Sequence, residues 1–241
     1  MRNASLPRRY ASVFVAGGVT GVPTADQLTQ FQVQRTVREV APDLRSPYTM
    51  QTAFSGERQL PYRVTLSVSY IGARTLHVLR SRNVNAPLTD AAGRPLRTPA
   101  GALLRPDMTR GNVYRFESSG VFKQHQLVFN VNNRFSRAFT LFGNYVLNFA
   151  KSDTDYAANF PVNQYDLTGE YGRSQQDIRH RFALFGTINA PWGVRLNPIV
   201  LANAGRPFNI TIGRDLNGDT LFTERPAFAA GGAPVSGRCT A

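Results

Sequence analysis

The sequence predicts an all-β protein: an antiparallel transmembrane β-barrel of the outer-membrane type, present as an incomplete barrel segment. Three observations carry this. Apolar and polar residues alternate with period two over several long runs. Very short breaks between runs take turns with long polar stretches. The polar side of the runs is rich in amides, which would be costly in a dry core without partners and cost little against water.

The runs follow in chain order. Arg8 and Arg9 precede an apolar stretch, Tyr10 to Val19, broken by Gly17 and Gly18. A signal peptide is one reading; a barrel strand or a truncated start is favoured, because no small-x-small cleavage site follows. From Arg63 to Ile71, Val64, Leu66, Val68 and Tyr70 share one face and Thr65, Ser67 and Ser69 the other. From Gln126 to Phe135, Leu127, Phe129, Val131 and Phe135 oppose Gln126, Asn130, Asn132 and Arg134. From Phe139 to Phe149, Phe139, Leu141, Tyr145, Leu147 and Phe149 oppose Thr140, Asn144 and Asn148. Then His180, Phe182, Leu184 and Ile188 oppose Arg179, Arg181 and Thr187, and Phe208, Ile210 and Ile212 oppose Asn209 and Thr211. The expectation is that Val64, Leu66, Val68, Phe129, Leu141 and Leu147 face lipid while Asn130, Asn132 and Asn144 face a wet interior.

Tight turns are expected at Leu60-Pro61, Ser136-Arg137 and Pro191-Trp192-Gly193, and long loops at Asn83–Asn112 and Lys151–Asp177. Tyr62, Phe135, Phe139 and Trp192 flank the tight turns, with Tyr145 and Phe149 toward the far ends, as two interfacial aromatic girdles require. A soluble sandwich also alternates, but it seldom sorts short and long connections so regularly. The turns give about eight to ten strands. Too few strands to close widely, an absent aromatic-tipped final strand and no convincing leader all point to a piece of something larger.

Composition bounds the alternatives. The chain has 241 residues, 42% hydrophobic and 18% charged, enough for one large domain or two small ones. No run approaches the roughly 20 apolar residues of a membrane helix, whereas barrel strands need only about 9 to 11 residues. The net charge is +13. The cations are spread along the chain, nearly all Arg, with Lys only at 123 and 151. Without a basic helix, finger or RNA-binding motif, no nucleic-acid partner is expected; Arg near an outer leaflet suits lipopolysaccharide phosphates instead. Cys239 stands alone, and His77, His125 and His180 are isolated, so neither residue type builds a metal site.

No nucleophile elbow, phosphate loop, zinc helix or dinucleotide fingerprint occurs. The expectation is a non-enzyme with no catalytic residues and no cofactor. The sharpest site candidate is Asp215-Leu216-Asn217-Gly218-Asp219, whose Asp215, Asn217 and Asp219 place oxygens at positions one, three and five of a calcium loop. The sixth position is Thr220 and the twelfth Pro226, so the EF-hand pattern fails. The alternatives are a partial calcium site completed by other loops and a plain polar turn. Asp153 and Asp155 read as solvated loop residues.

Several segments carry a resemblance. They are Leu44-Arg45-Ser46-Pro47-Tyr48, Glu57-Arg58-Gln59-Leu60-Pro61 and Ser69-Tyr70-Ile71-Gly72-Ala73; Asn83-Val84-Asn85-Ala86-Pro87; Asn163-Gln164-Tyr165-Asp166-Leu167, Glu170-Tyr171-Gly172-Arg173-Ser174 and Asp177 to Phe182; and Gly205 to Thr211, Gly213 to Asp219 and Glu224-Arg225-Pro226. In this order they make the stretch 43–228 resemble the barrel of Oar-like TonB-dependent receptors. The resemblance implies that residues 1–241 are part of one transporter barrel in the bacterial outer membrane, that the complete barrel has about 22 strands around a plug domain, and that TonB supplies energy through that plug. No plug, TonB-contacting segment or closing strand is visible within the sequence. The reading is energy-coupled uptake of a scarce solute whose identity the loops do not spell out. The alternatives are a structural or adhesive outer-membrane protein and a small passive pore.

Overall fold

The computed structural model describes residues 36–136 and 139–226. The apolar stretch Tyr10 to Val19, Arg137 of the second tight turn, and Cys239 lie outside the described residues. So do the side chains of residues 134–136.

The strands formed by the described residues belong to one sheet. Its strands are β1 (Val37–Val40), β2 (Tyr48–Leu60), β3 (Val64–Asn83), β4 (Val113–Ser136), β5 (Phe139–Ser152), β6 (Gly172–Arg173), β7 (His180–Asn189), β8 (Arg195–Leu196) and β9 (Ile199–Asn203). The only helical segments among the described residues are single 3-10 turns. The main path is an antiparallel meander, β2-β3-β4-β5-β7-β8, with β9 also on β7. β8 and β9 are two parts of one strand. Ile188 pairs with Leu196 and Phe185 with Ile199 in a single register, and Gly186 donates its N–H to the Pro198 carbonyl between them at 3.1 Å. Pro198 interrupts the ladder because it has no N–H to return.

The ladders align the alternating runs of different strands. One row crosses the sheet as Gly56, Val68, Phe129, Tyr145, Phe182 and Ala202. The adjacent row is Glu57, Ser67, Asn130, Asn144, Ala183 and Leu201. Side chains directly opposite share a face, so Val64, Leu66, Leu141 and Leu147 join the first row's face and Asn132 the second's. The opposed faces read from the sequence therefore hold across the sheet.

The burial is inverted relative to a water-soluble domain. Among the described residues the buried apolar side chains are only Ala41, Ala86, Val113 and Ala150. The buried polar ones include Arg80, Asn83, Asn112, Gln164, Asp177 and Asp219, while Phe54, Tyr70, Leu127, Phe149 and Phe182 are exposed. A sheet with an exposed apolar face and a polar-packed end is suited to lipid, not to a sandwich core.

Connections sort by length. Between β2 and β3 the chain turns through Pro61–Arg63, and between β7 and β8 through Pro191–Gly193. Both turns carry an aromatic in the left-handed region, Tyr62 at φ 64° and Trp192 at φ 66°. These rings are 78% and 94% exposed, which places them as an aromatic girdle at this end. Ser136 pairs with Phe139 across the third short connection. At the opposite end run residues 84–112, 153–179 and 204–226, apart from the two-residue β6.

The sheet is antiparallel as expected, except that the short β1 runs parallel to β4, pairing Val37 with Val113 through Val40 with Phe116. One expectation changes: Phe208 to Ile212 forms no strand and joins no ladder. Its alternation is genuine, but a strand also needs a partner, and its polar residues Asn209 and Thr211 line a loop cavity instead. The described residues form nine strands, within the eight to ten expected, and six positions make up the meander. No described strand pairs with the outer edge of β2 or of β9, so the described sheet is open.

Candidate functional site

The polar face and the long loops meet at one end of the sheet. On the face, Asn144 donates to Asn130 Oδ1 at 2.7 Å and Gln124 to Asn148 Oδ1 at 2.9 Å. Asn148 in turn donates to the Gln176 carbonyl at 2.9 Å, tying the face to the loop 153–179. Thr49, Gln51, Gln124 and Gln126 of the face, with Asp155 and Ser174 of the loop, line a cleft of about 390 Å³. Gly120 permits the close approach of loop and sheet. A Cβ there would meet Thr154 Cγ2 at 2.5 Å and the Val78 carbonyl oxygen at 2.7 Å. Just before Val78, His77 adopts φ 59° in a bulge of β3, and its Nδ1 lies 3.3 Å from the Ser118 carbonyl.

The three loops are joined to one another by buried polar side chains. Gln164 Oε1 accepts the Asn83 N–H at 2.8 Å, while its Nε2 donates to Asp219 Oδ2 at 3.1 Å. Asn112 donates to the Asp219 carbonyl at 3.3 Å and to Thr220 Oγ1 at 2.8 Å. Arg105 reaches Asn112 Oδ1 and the Asn85 carbonyl at 2.8 and 2.6 Å, and Tyr165 donates to the Ala86 carbonyl at 2.6 Å. Desolvation pushes the Tyr165 phenol up from its ordinary value. Asp153, expected to be a solvated residue, is held instead by buried Arg80 at 2.6 Å and by the Val121 N–H at 2.7 Å. Asp155 accepts from Ser174 Oγ at 2.6 Å. Burial alone would raise the Asp177 carboxyl, but hydrogen bonds from Arg179, Arg173 and the Ala150 N–H hold it below the ordinary range.

Of the three calcium candidates, the fold brings two together. Asp215, Asp219 and Glu224 each present a carboxylate oxygen within 4.8 Å of the others. Between them in the chain, the Asn217 side-chain oxygen accepts the Asp219 N–H at 2.9 Å, and its amide nitrogen points to Asp219 Oδ2 at 3.3 Å. Glu224 takes the third place from the tenth position of the loop, two short of where an EF-hand puts its glutamate. Asp215 is wrapped by the N–H groups of Gly218, Asp219 and Thr220 at 2.7, 3.2 and 2.9 Å, with Gly218 at φ 77° allowing the loop to double back. Burial, reinforced by repulsion from Asp215 and Glu224, pushes the Asp219 carboxyl up to about 6. Oxygen donors of this kind suit a hard cation and not zinc or copper.

The apolar face carries a different feature above its apolar band. Arg74 pairs with Lys123, Lys123 with Lys151 and Lys151 with Arg173. These four cations form one row across four strands, all exposed. Below the row, Tyr70 OH lies 2.7 Å from His125 Nδ1 and Tyr145 OH 2.8 Å from His180 Nδ1. Arg179 stands over the Phe149 ring at 4.1 Å. Each of the three histidines thus has a hydrogen-bond partner, and none joins a ligand cluster among the described residues. The sequence gives no sign of the row, because it depends on register between strands far apart in the chain.

Comparison with known proteins adds two results. The family model described as the outer membrane beta barrel domain matches residues 3–240. Among solved structures, the outer membrane transporter YddB from Escherichia coli is similar at 14% sequence identity and a TM-score of 0.48. That similarity covers 75% of this chain and 23% of the other, so the chain spans about a quarter of that protein's length. None of the curated proteins matches the sequence.

Proposed function

Because this chain belongs to the outer membrane beta barrel domain family and so resides in the outer membrane, we propose that it is a wall segment of a TonB-dependent transporter of the Oar-like kind. In this reading it takes part in energy-coupled uptake of a scarce solute and does no covalent chemistry. The observation that carries the reading is the open meander. Its apolar face suits lipid, and its amide-rich face lies beneath three long loops joined by buried polar side chains. The smallest membrane barrels close with eight strands around a filled interior, whereas wide barrels of about 22 strands enclose a plugged lumen. Six meander positions with a hydrogen-bonding inner face suit the wide kind. The plug and the TonB contact belong, in this reading, to a longer protein. The basic row suits lipopolysaccharide phosphates at the outer leaflet.

The test compares cells with and without the gene, each with TonB intact or deleted, by mass spectrometry of solutes removed from the medium. The expected result is a solute whose depletion needs both the gene and TonB. Depletion that needs the gene but persists without TonB would favour the passive pore. Unchanged solutes with lost cell–cell adherence would favour the adhesive protein.

A further inference from the structure

The acidic cluster of the last loop differs from an ordinary polar turn in two ways. First, two of its three carboxylates are buried, Asp219 at 0% exposure and Glu224 at 6%. None of the three takes part in an ion pair among the described residues. Arg105 is near enough to Asp219 for their charges to interact but makes no ion pair with it, and a buried carboxylate without a direct ion-pair partner is costly unless a proton or a cation neutralises it. Second, Glu224 divides its oxygens unequally. Oε1 accepts the Leu216 and Asn217 N–H groups at 3.0 and 3.4 Å. Oε2 is buried and has no hydrogen-bond partner. A buried acceptor left unmade loses its full hydration, and this one belongs to the carboxylate that completes the cluster.

From these observations we propose that Asp215, Asp219 and Glu224 form a calcium site that clamps the three long loops together. Calcium takes six to eight oxygens at about 2.3–2.6 Å, so oxygens on opposite sides of one ion stand about 4.6–5.2 Å apart. The three carboxylates, all within 4.8 Å of one another, fit around such an ion. Each carboxylate oxygen has two lone pairs, so those that accept a single N–H can still ligate, and Glu224 Oε2 is wholly available. Backbone carbonyls and water supply the rest of a calcium shell, whose irregular geometry a loop satisfies more easily than magnesium's strict octahedron. Asp219 is also the hub of the loop contacts. Through Gln164 it holds the loop 153–179, and through Asn112 the end of the loop 84–112. An ion at this position therefore fixes all three loops. This inference does not depend on the transport reading.

The test uses the protein as cells assemble it in the outer membrane, extracted in detergent, stripped with chelator and titrated with calcium chloride in a calorimeter. The expected result is calcium binding that is weakened at least tenfold by Glu224→Gln and by Asp219→Asn and unchanged by Asp90→Asn in another loop. Calcium held by co-purified lipopolysaccharide is common to all variants, so only the differences count. Thermal melting supplies a second sign. Without calcium, Glu224→Gln should melt at or above the wild type because repulsion is relieved; with calcium the order should reverse. No wild-type calcium binding, equal binding by wild type and both variants, or an equal effect of magnesium would overturn the proposal. Should these variants fail to assemble, Asp215→Asn, at the least buried of the three carboxylates, takes their place. A calcium-specific rise in melting temperature that is smaller in Asp215→Asn than in the wild type upholds the site, and an equal rise in both, or none, overturns it.

Discussion

Val68 and Ser67 are neighbours in the chain and opposites in the sheet. Val68 stands in a row with Phe129, Tyr145 and Phe182, and Ser67 in a row with Asn130 and Asn144. Nothing but strand parity separates the two environments, since successive side chains point to opposite faces. Val68→Arg should therefore cost about 2–4 kcal/mol, the penalty for an arginine at the lipid-facing midplane of a barrel, and Ser67→Arg close to nothing. The measurement is the urea midpoint of each variant in outer-membrane extracts; equal shifts for both would reverse the face assignment. This parity was legible in the sequence because it is local: reading every second residue from Arg63 to Ile71 suffices. The partners of Asp153 and Glu224 were not. Arg80 reaches Asp153 across a whole hairpin, and Glu224 enters the acidic cluster two positions short of where an EF-hand loop puts its glutamate.

At the scale of elements, the tight turns were readable from Pro61 and Pro191 because proline fixes its own φ and favours the first turn position. The strand at Phe208 to Ile212 was misread because alternation reports which way side chains point and not whether a neighbour exists to bond the backbone. The basic row depends on register in the same way. Ten residue steps run from Val64 to Arg74, and twelve from Phe139 to Lys151. At about 3.3 Å per residue and a tilt near 45°, these climb about 23–28 Å, the height of the apolar band. That height would bring the row level with the outer-leaflet phosphates proposed as its partner. Like charges directly opposite destabilise a sheet, and Lys123 faces Lys151 with Arg74 and Arg173 on either side. The proposed anionic lipid partner would turn this cost into binding. At about 1 kcal/mol per basic residue near an anionic surface, replacing Lys123 and Lys151 by Gln should weaken lipopolysaccharide association about 30-fold. The check is the lipopolysaccharide retained per protein through salt washes, and unchanged retention would count against this partner.

For the whole molecule, the outer edges of β2 and β9 are the decisive feature. In lipid each unpaired backbone group costs several kcal/mol, and six meander positions fall short of the eight strands of the smallest membrane barrel. The chain taken alone from urea into detergent should aggregate or stay unfolded. A heat-modifiable monomer with stable single-channel conductance would show instead that the chain closes by itself. Openness of the sheet could be anticipated from strand number, but the identity of the strands that complete the wall is not encoded in alternation.

The parallel pairing of β1 with β4 carries a consequence for the order of assembly. Every other neighbour in the meander follows its partner in the chain, through a tight turn or a single long loop. β1 precedes β2 in the chain yet docks on Val113–Phe116, beyond the β2–β3 hairpin and the loop 84–112. The chain between β1 and its partner includes a whole hairpin and a long loop, so loop-closure entropy predicts that this pairing forms after the meander pairings. On that basis β1 is a latch set late, and protection of its backbone N–H groups from exchange during assembly should appear after that of β2 and β3.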